Sequence, residues 1–143
     1  MAEAKAKETF NCTAEEFFKV VADYEKYPEF LPEIKSVKIL KNDGAKKQME
    51  YSVSMIKTFK YKLDVEEVSP AKVEFKFTEG DVFKTMKGLW TIKPAGDKCE
   101  VEYHLTATFG MFMPSSMEST LVTVSLPKMI ANFKNRIKKV YGK

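Results

Sequence analysis

The chain has 143 residues, 44% hydrophobic, 13% aromatic and 31% charged, with a formal net charge of +4. That length suits one domain, 1–143, burying about two-thirds of its unfolded surface, and the composition is too apolar for a disordered chain. No apolar run is long enough to cross a bilayer, and the N-terminus MAEAKAKETF has no apolar signal core, so a cytoplasmic location is expected.

Lys5 to Asn11 reads as an opening strand. Thr13-Ala14-Glu15-Glu16 is a capping box, in which Thr13 caps a helix and Glu16 reaches back to its amide. Phe17, Val20, Val21 and Tyr24 then recur at helical spacing and predict one buried face. Pro28 and Pro32 bracket a segment with room only for a short helix or turn.

Beyond Pro32 the period changes to two. Ile34 to Lys41 reads as a strand, with Asn42-Asp43-Gly44 as its turn. Met49, Tyr51, Val53 and Met55 alternate with Glu50, Ser52 and Ser54. Phe59, Tyr61, Leu63 and Val65 alternate with Lys60, Lys62, Asp64 and Glu66. After Ser69-Pro70 come Val73, Phe75 and Phe77, and after Gly80-Asp81 come Met86, Gly88, Trp90 and Ile92. Pro94 to Lys98 is a turn, and Val101, Tyr103, Leu105, Ala107 and Phe109 form the last inward series. Consecutive strands with short connections imply a meandering antiparallel sheet with one apolar face.

The remainder is helical. Leu126, Ile130, Phe133, Ile137 and Val140 make an apolar stripe, extended upstream by Met117, Leu121 and Val124 from a start at Pro114-Ser115-Ser116. Pro127 either kinks this helix or begins a second one. The expected fold is therefore α+β: a curved antiparallel sheet of six to seven strands around a long C-terminal helix, with two short helices after the first strand. So many strands present more apolar area than one helix covers, so the inner face is either a dense core or a cavity wall. The Met and Phe around Gly110 to Pro114 lean towards a cavity with an apolar mouth. Its candidate ligand-binding residues are Tyr51, Val53, Met55, Phe59, Tyr61, Leu63, Phe75, Phe77, Met86, Trp90, Tyr103, Leu105 and Phe109 on strands, with Met117 and Leu121 on the helix.

Candidate catalytic groups are sparse. His104, the single histidine, points by alternation away from the apolar face, and no serine stands in a nucleophile elbow. HExxH, CxxC, glycine-rich phosphate loop and EF-hand patterns are missing from the sequence, so neither metal nor cofactor is expected. Cys12 and Cys99 read as two buried free thiols. Tyr51, Tyr61 and Tyr103 face inward, where each phenol either polarises a ligand carbonyl or bonds to backbone or water.

Lys134, Arg136, Lys138 and Lys139 make the helix end basic, which either complements the helix dipole or contacts a membrane or ribosome. Nucleic acid is not the expected partner, because Arg136 is the single arginine. Nothing in the sequence calls for an obligate dimer, and a monomer is expected.

Two strings carry a family resemblance. Asp23 to Pro32, with Tyr27-Pro28-Glu29-Phe30-Leu31-Pro32, resembles a D-x-x-x-Y-P-x-F-L-P segment. Gly88-Leu89-Trp90-Thr91-Ile92-Lys93-Pro94 followed by Cys99-Glu100-Val101-Glu102-Tyr103 is similar to a G-x-W-x-x-x-P strand and its C-x-V-x-F/Y partner. Both belong to the START-like (SRPBCC, helix-grip) superfamily, in its coenzyme Q-binding and polyketide cyclase/dehydrase branch. The resemblance implies a helix-grip fold and a cavity under the C-terminal helix for an isoprenoid quinone, another lipid or a polycyclic aromatic molecule. A carrier or chaperone without catalysis is the leading expectation. A cyclase/aromatase and a ribosome- or membrane-directed module are the alternatives.

Overall fold

The computed structural model describes residues 2–54, 58–81, 83–110 and 126–142. Seven strands form one antiparallel sheet: β1 (Ala2–Phe10), β2 (Ile34–Asp43), β3 (Lys46–Ser54), β4 (Thr58–Val68), β5 (Lys72–Gly80), β6 (Phe83–Ala95) and β7 (Lys98–Phe109). Their order in space is β1-β7-β6-β5-β4-β3-β2. Thus β2 to β7 is a run of hairpins, while β1 pairs with β7 and lies at the edge opposite β2. Between those edges the chain crosses through α1 (Ala14–Val21) and a 3-10 helix, η1 (Tyr24–Glu29), and it ends in α2 (Leu126–Tyr141). This is the helix-grip arrangement, a curved sheet holding the C-terminal helix. No helix among the described residues is long and apolar enough to cross a membrane.

The alternation read from the sequence is followed by burial on most of β4, whereas on β3 Ser52, expected on the wet face, is buried along with Tyr51 and Val53. On β4, Phe59, Leu63 and Val65 are buried while Lys60, Asp64 and Glu66 are exposed. Strands outgrow the expected limits where hairpins are tight. Only Gly44 and Ala45 connect β2 to β3, and only Gly96 and Asp97 connect β6 to β7. Pro94, expected in the turn, is inside β6 and pairs with Cys99. The β5 ladder has already ended at Lys72–Thr91, so β6 has an unpaired side there and can spare an amide.

The capping box is formed as read: Thr13 Oγ1 accepts from the Glu16 amide at 3.2 Å, and Glu16 Oε1 accepts from the Thr13 amide at 2.9 Å. It sets Phe17, Val20 and Val21 into the core. α2 buries Leu126, Ile130, Phe133 and Ile137. Val140 departs from the expected stripe and is 50% exposed. From Ile137 a helix returns to its buried face after three or four residues, and here the fourth wins. Tyr141 packs against the core and its hydroxyl donates to the Glu16 carbonyl at 3.1 Å. Pro127 is the second described residue of α2, and the residues before Leu126, which decide between a kink and a new helix, lie outside the described residues. The upstream helix start at Pro114 to Ser116, with Met117, Leu121 and Val124, lies outside the described residues, as does Met55.

η1 is clamped onto α2. The rings of Tyr27 and Phe30 meet Phe133 edge-on at 5.9 and 5.1 Å. The Arg136 guanidinium lies over the Phe30 ring at 5.1 Å, and its Nη1 is 3.1 Å from Glu29 Oε1. Arg136 holds the Glu29 carboxyl below the usual carboxylate range. With the folded pKa depressed, the bridge is complete at neutral pH and loosens only as pH falls through that lowered value.

At one glycine of positive φ, close neighbours also exclude a side chain. Gly80 has φ +148° and pairs with Tyr61 beside the register shift between Lys62 and Leu63. A Cβ there would stand 2.5 Å from Tyr61 Cα and 2.6 Å from the Lys60 carbonyl oxygen. Gly80→Ala is expected to cost about 1–3 kcal/mol in urea unfolding, because neither backbone atom can step aside.

Candidate functional site

Between the sheet and α2 lies a cavity of two adjoining lobes, about 190 Å³ and about 200 Å³. Roughly 150 Å³ of apolar cavity suffices to hold benzene. Tyr61, Phe83, Tyr103, Leu105 and Met129 line both lobes and join them into one space. Ala4 on β1 and Ala107 on β7 line this space with methyl groups alone.

Phe75 shows how closely the wall is fitted. It pairs across the sheet with Gly88, and a Cβ on Gly88 would fall inside the Phe75 ring. The glycine of the Gly-x-Trp string thus lets a ring lie flat on the sheet. Two residues on, Trp90 sits between Tyr103, 4.6 Å away, and Phe133 of α2, 5.1 Å away. Tyr51 and Tyr61 stack with ring centres 5.4 Å apart and planes 6° from parallel.

Five of the six tyrosines line the first lobe, and their hydroxyls divide into two groups. Tyr24 donates to Glu67 Oε2 at 2.6 Å, and Tyr27 donates to the Val21 carbonyl. Tyr51, Tyr61 and Tyr103 have no hydrogen-bond partner among the described residues. Burial pushes all three phenols above their ordinary pKa, so they stay protonated at neutral pH and can donate. Tyr51→Phe is expected to change stability by less than about 0.5 kcal/mol, whereas Tyr27→Phe should cost about 1 kcal/mol. Thermal unfolding of the two variants side by side checks this.

Of the residues expected to line a cavity, Tyr51, Tyr61, Leu63, Phe75, Met86, Trp90, Tyr103, Leu105 and Phe109 are on the first lobe. Val53 and Phe59 are on the second, with Tyr61, Tyr103 and Leu105 again. Phe77 lines neither lobe and packs on Phe83 at 6.2 Å. Met55, Met117 and Leu121 fall outside the described residues, as does the mouth sequence 111–114.

Sequence reading missed the wall that η1 and the residues just after it supply, Tyr24, Tyr27 and Leu31, and also Phe83 and Met129. It also missed two charges on the inner face. Lys47 and Glu67 are in phase with Met49 and Val65, and their side chains are only 13% and 12% exposed. Their phase was the available signal.

The remaining candidates lie elsewhere. His104 is exposed, with Nε2 3.1 Å from Glu3 Oε2. Cys12 and Cys99 are buried and form no disulfide, and a hydrogen bond from Cys12 lowers the Cys99 pKa. At the basic helix end, Lys134 pairs with Glu8 at 3.0 Å and Arg136 with Glu29, while Lys138 and Lys139 are exposed.

Comparison with known proteins agrees with this architecture. The chain is 28% identical over 132 residues to the ribosome association toxin RatA of Vibrio cholerae, covering 91% of each chain. A START superfamily protein from Mycobacterium smegmatis has the same fold, with a TM-score of 0.86 at 22% identity over 98% of this chain and 99% of that one. The Zhui aromatase/cyclase from Streptomyces superposes with a TM-score of 0.81 at 14% identity, covering 96% of this chain and 93% of that one. Residues 11–134 match the family described as polyketide cyclase / dehydrase and lipid transport, and the chain belongs to that family.

Proposed function

We propose that this chain is a one-domain carrier or chaperone that binds an apolar small molecule, such as an isoprenoid quinone or another lipid, in the cavity between sheet and α2. The observation that carries this reading is the set of three phenols, Tyr51, Tyr61 and Tyr103, which line an otherwise apolar space and have no hydrogen-bond partner among the described residues. Each has a proton to give, and a ligand carbonyl would accept it. The wall residues Val53, Phe59, Leu63, Phe75, Met86, Trp90, Leu105 and Phe109 would pack on its apolar body.

A cyclase needs a group that takes a proton as well as groups that orient substrate. The three phenols hold their protons and would polarise a carbonyl rather than abstract from its neighbour, which favours binding over catalysis.

Trp90 is the single tryptophan and lines the first lobe, so its fluorescence reports occupancy. Titration with short-chain ubiquinone and menaquinone should quench it saturably at one ligand per chain. Emission unmoved by both quinones, together with failure of a fatty acid or phospholipid to displace a polarity-sensitive dye, would overturn the proposal.

The likeness to the ribosome association toxin supports a second reading, contact with the ribosome through the basic end of α2. Lys134 and Arg136 already have acidic partners, so Lys138 and Lys139 would carry that contact. Co-sedimentation with ribosomes that is salt-sensitive and lost on changing both to Gln would support it; co-sedimentation insensitive to either would sink it.

A further inference from the structure

A charge pair stands behind the Tyr24 side of the first lobe, outside its lining. Lys47 Nζ lies 2.9 Å from Glu67 Oε2 and donates to the Gly44 carbonyl at 2.7 Å. The Tyr24 hydroxyl donates to the same Glu67 oxygen at 2.6 Å. Tyr24 is itself only 3% exposed and lines the lobe beside Val65 and Val73.

A phenol has one proton to give and lone pairs with which to accept. In Tyr24 that proton is committed to the Glu67 carboxylate, which Lys47 holds in place. The charge-assisted bond also makes the phenol oxygen a better acceptor. Tyr51, whose ring is 6.4 Å from that of Tyr27, still has its proton to give. The lobe therefore offers an acceptor at its end and donors along its wall.

We propose that Tyr24, held by Glu67 and Lys47, makes the end of the cavity a hydroxyl-selective subsite, which takes an apolar ring compound bearing a phenol or alcohol and accepts its O–H. The subsite rests on the ligand-binding reading and narrows it to a class. An ether at that place has no proton to give and leaves the Tyr24 oxygen unpaired. A latch that merely tied η1 to β4 would not tell a phenol from its methyl ether.

The test is equilibrium binding of 2-naphthol, 2-methoxynaphthalene and naphthalene to the full chain, with Tyr24→Phe and Glu67→Gln alongside. Apolar burial by itself favours the ether, because it carries an extra methyl group. Wild type should nevertheless bind 2-naphthol about tenfold more tightly than the ether. Tyr24→Phe should abolish that preference, read as the ratio of the two affinities within the variant. Glu67→Gln lets an amide donate to Tyr24 and frees the phenol proton, so the preference should fall at least threefold or so. It serves as the deciding variant if Tyr24→Phe does not fold. If naphthalene binds but the phenol is not preferred, or the preference survives in the folded variants, the subsite is wrong and the cavity reading stands. If none of the three compounds binds wild type, the cavity reading fails and takes the subsite with it.

Discussion

Phe133→Ala is expected to lower stability by about 3–5 kcal/mol, the range for removing a large aromatic ring from a core. Phe133 is 1% exposed, and its ring meets Tyr27, Phe30, Phe17 and Trp90 at 5.9, 5.1, 6.1 and 5.1 Å. It is the point at which α2, α1, η1 and the sheet touch one another. Truncation forfeits the ring's own burial and leaves several partners facing a void beside an existing cavity, with nothing nearby to collapse into the space. For a chain of this length the loss corresponds to a fall in Tm of roughly 10–20 °C. Scanning calorimetry of the variant beside the wild type measures it, and a fall of only a few degrees would mean that α2 is not held through this ring.

Ala107→Phe should produce the largest functional effect. Ala107 is 2% exposed and lines the first lobe from β7. A benzyl group there occupies the space a ligand needs, while the cavity itself receives the added ring and limits the strain. Forfeiting burial equivalent to three or four CH₂ groups, at about 0.8 kcal/mol each, is near 3 kcal/mol, or about a hundredfold in affinity. Ala107→Leu adds less bulk and should lose about tenfold. The Trp90 titration reads both, and calorimetry confirms that the variants are folded. Unchanged affinity in a folded Ala107→Phe protein would place the ligand elsewhere.

The strands were readable from the sequence because their signal is local. Burial follows polarity along β4 from Phe59 to Val65 except at Tyr61 and Lys62, which are both half-buried, and the capping box at Thr13 and Glu16 makes both of its bonds. The strand-borne half of the cavity wall followed from the same period. What escaped depends on packing between distant segments. Tyr24, Tyr27 and Leu31 reach the cavity because η1 is folded under α2, an approach no local pattern encodes. Val140 and Tyr141 both fit a three-to-four repeat, and only the docking of the last turn on α1 decides between them. Lys47 and Glu67 were passed over because a charge on an inward position normally argues against burial. Their mutual bridge and the Tyr24 hydroxyl remove that objection.

A ligand held in the cavity should leave the cell with the protein. Native mass spectrometry of the protein purified from its own cells, followed by organic extraction of whatever leaves it, would reveal it. One equivalent of an apolar, oxygen-bearing molecule should travel with the wild-type chain and be missing from Ala107→Phe. Wild-type protein that carries nothing and takes up neither quinone nor lipid when these are added would contradict the ligand-binding reading.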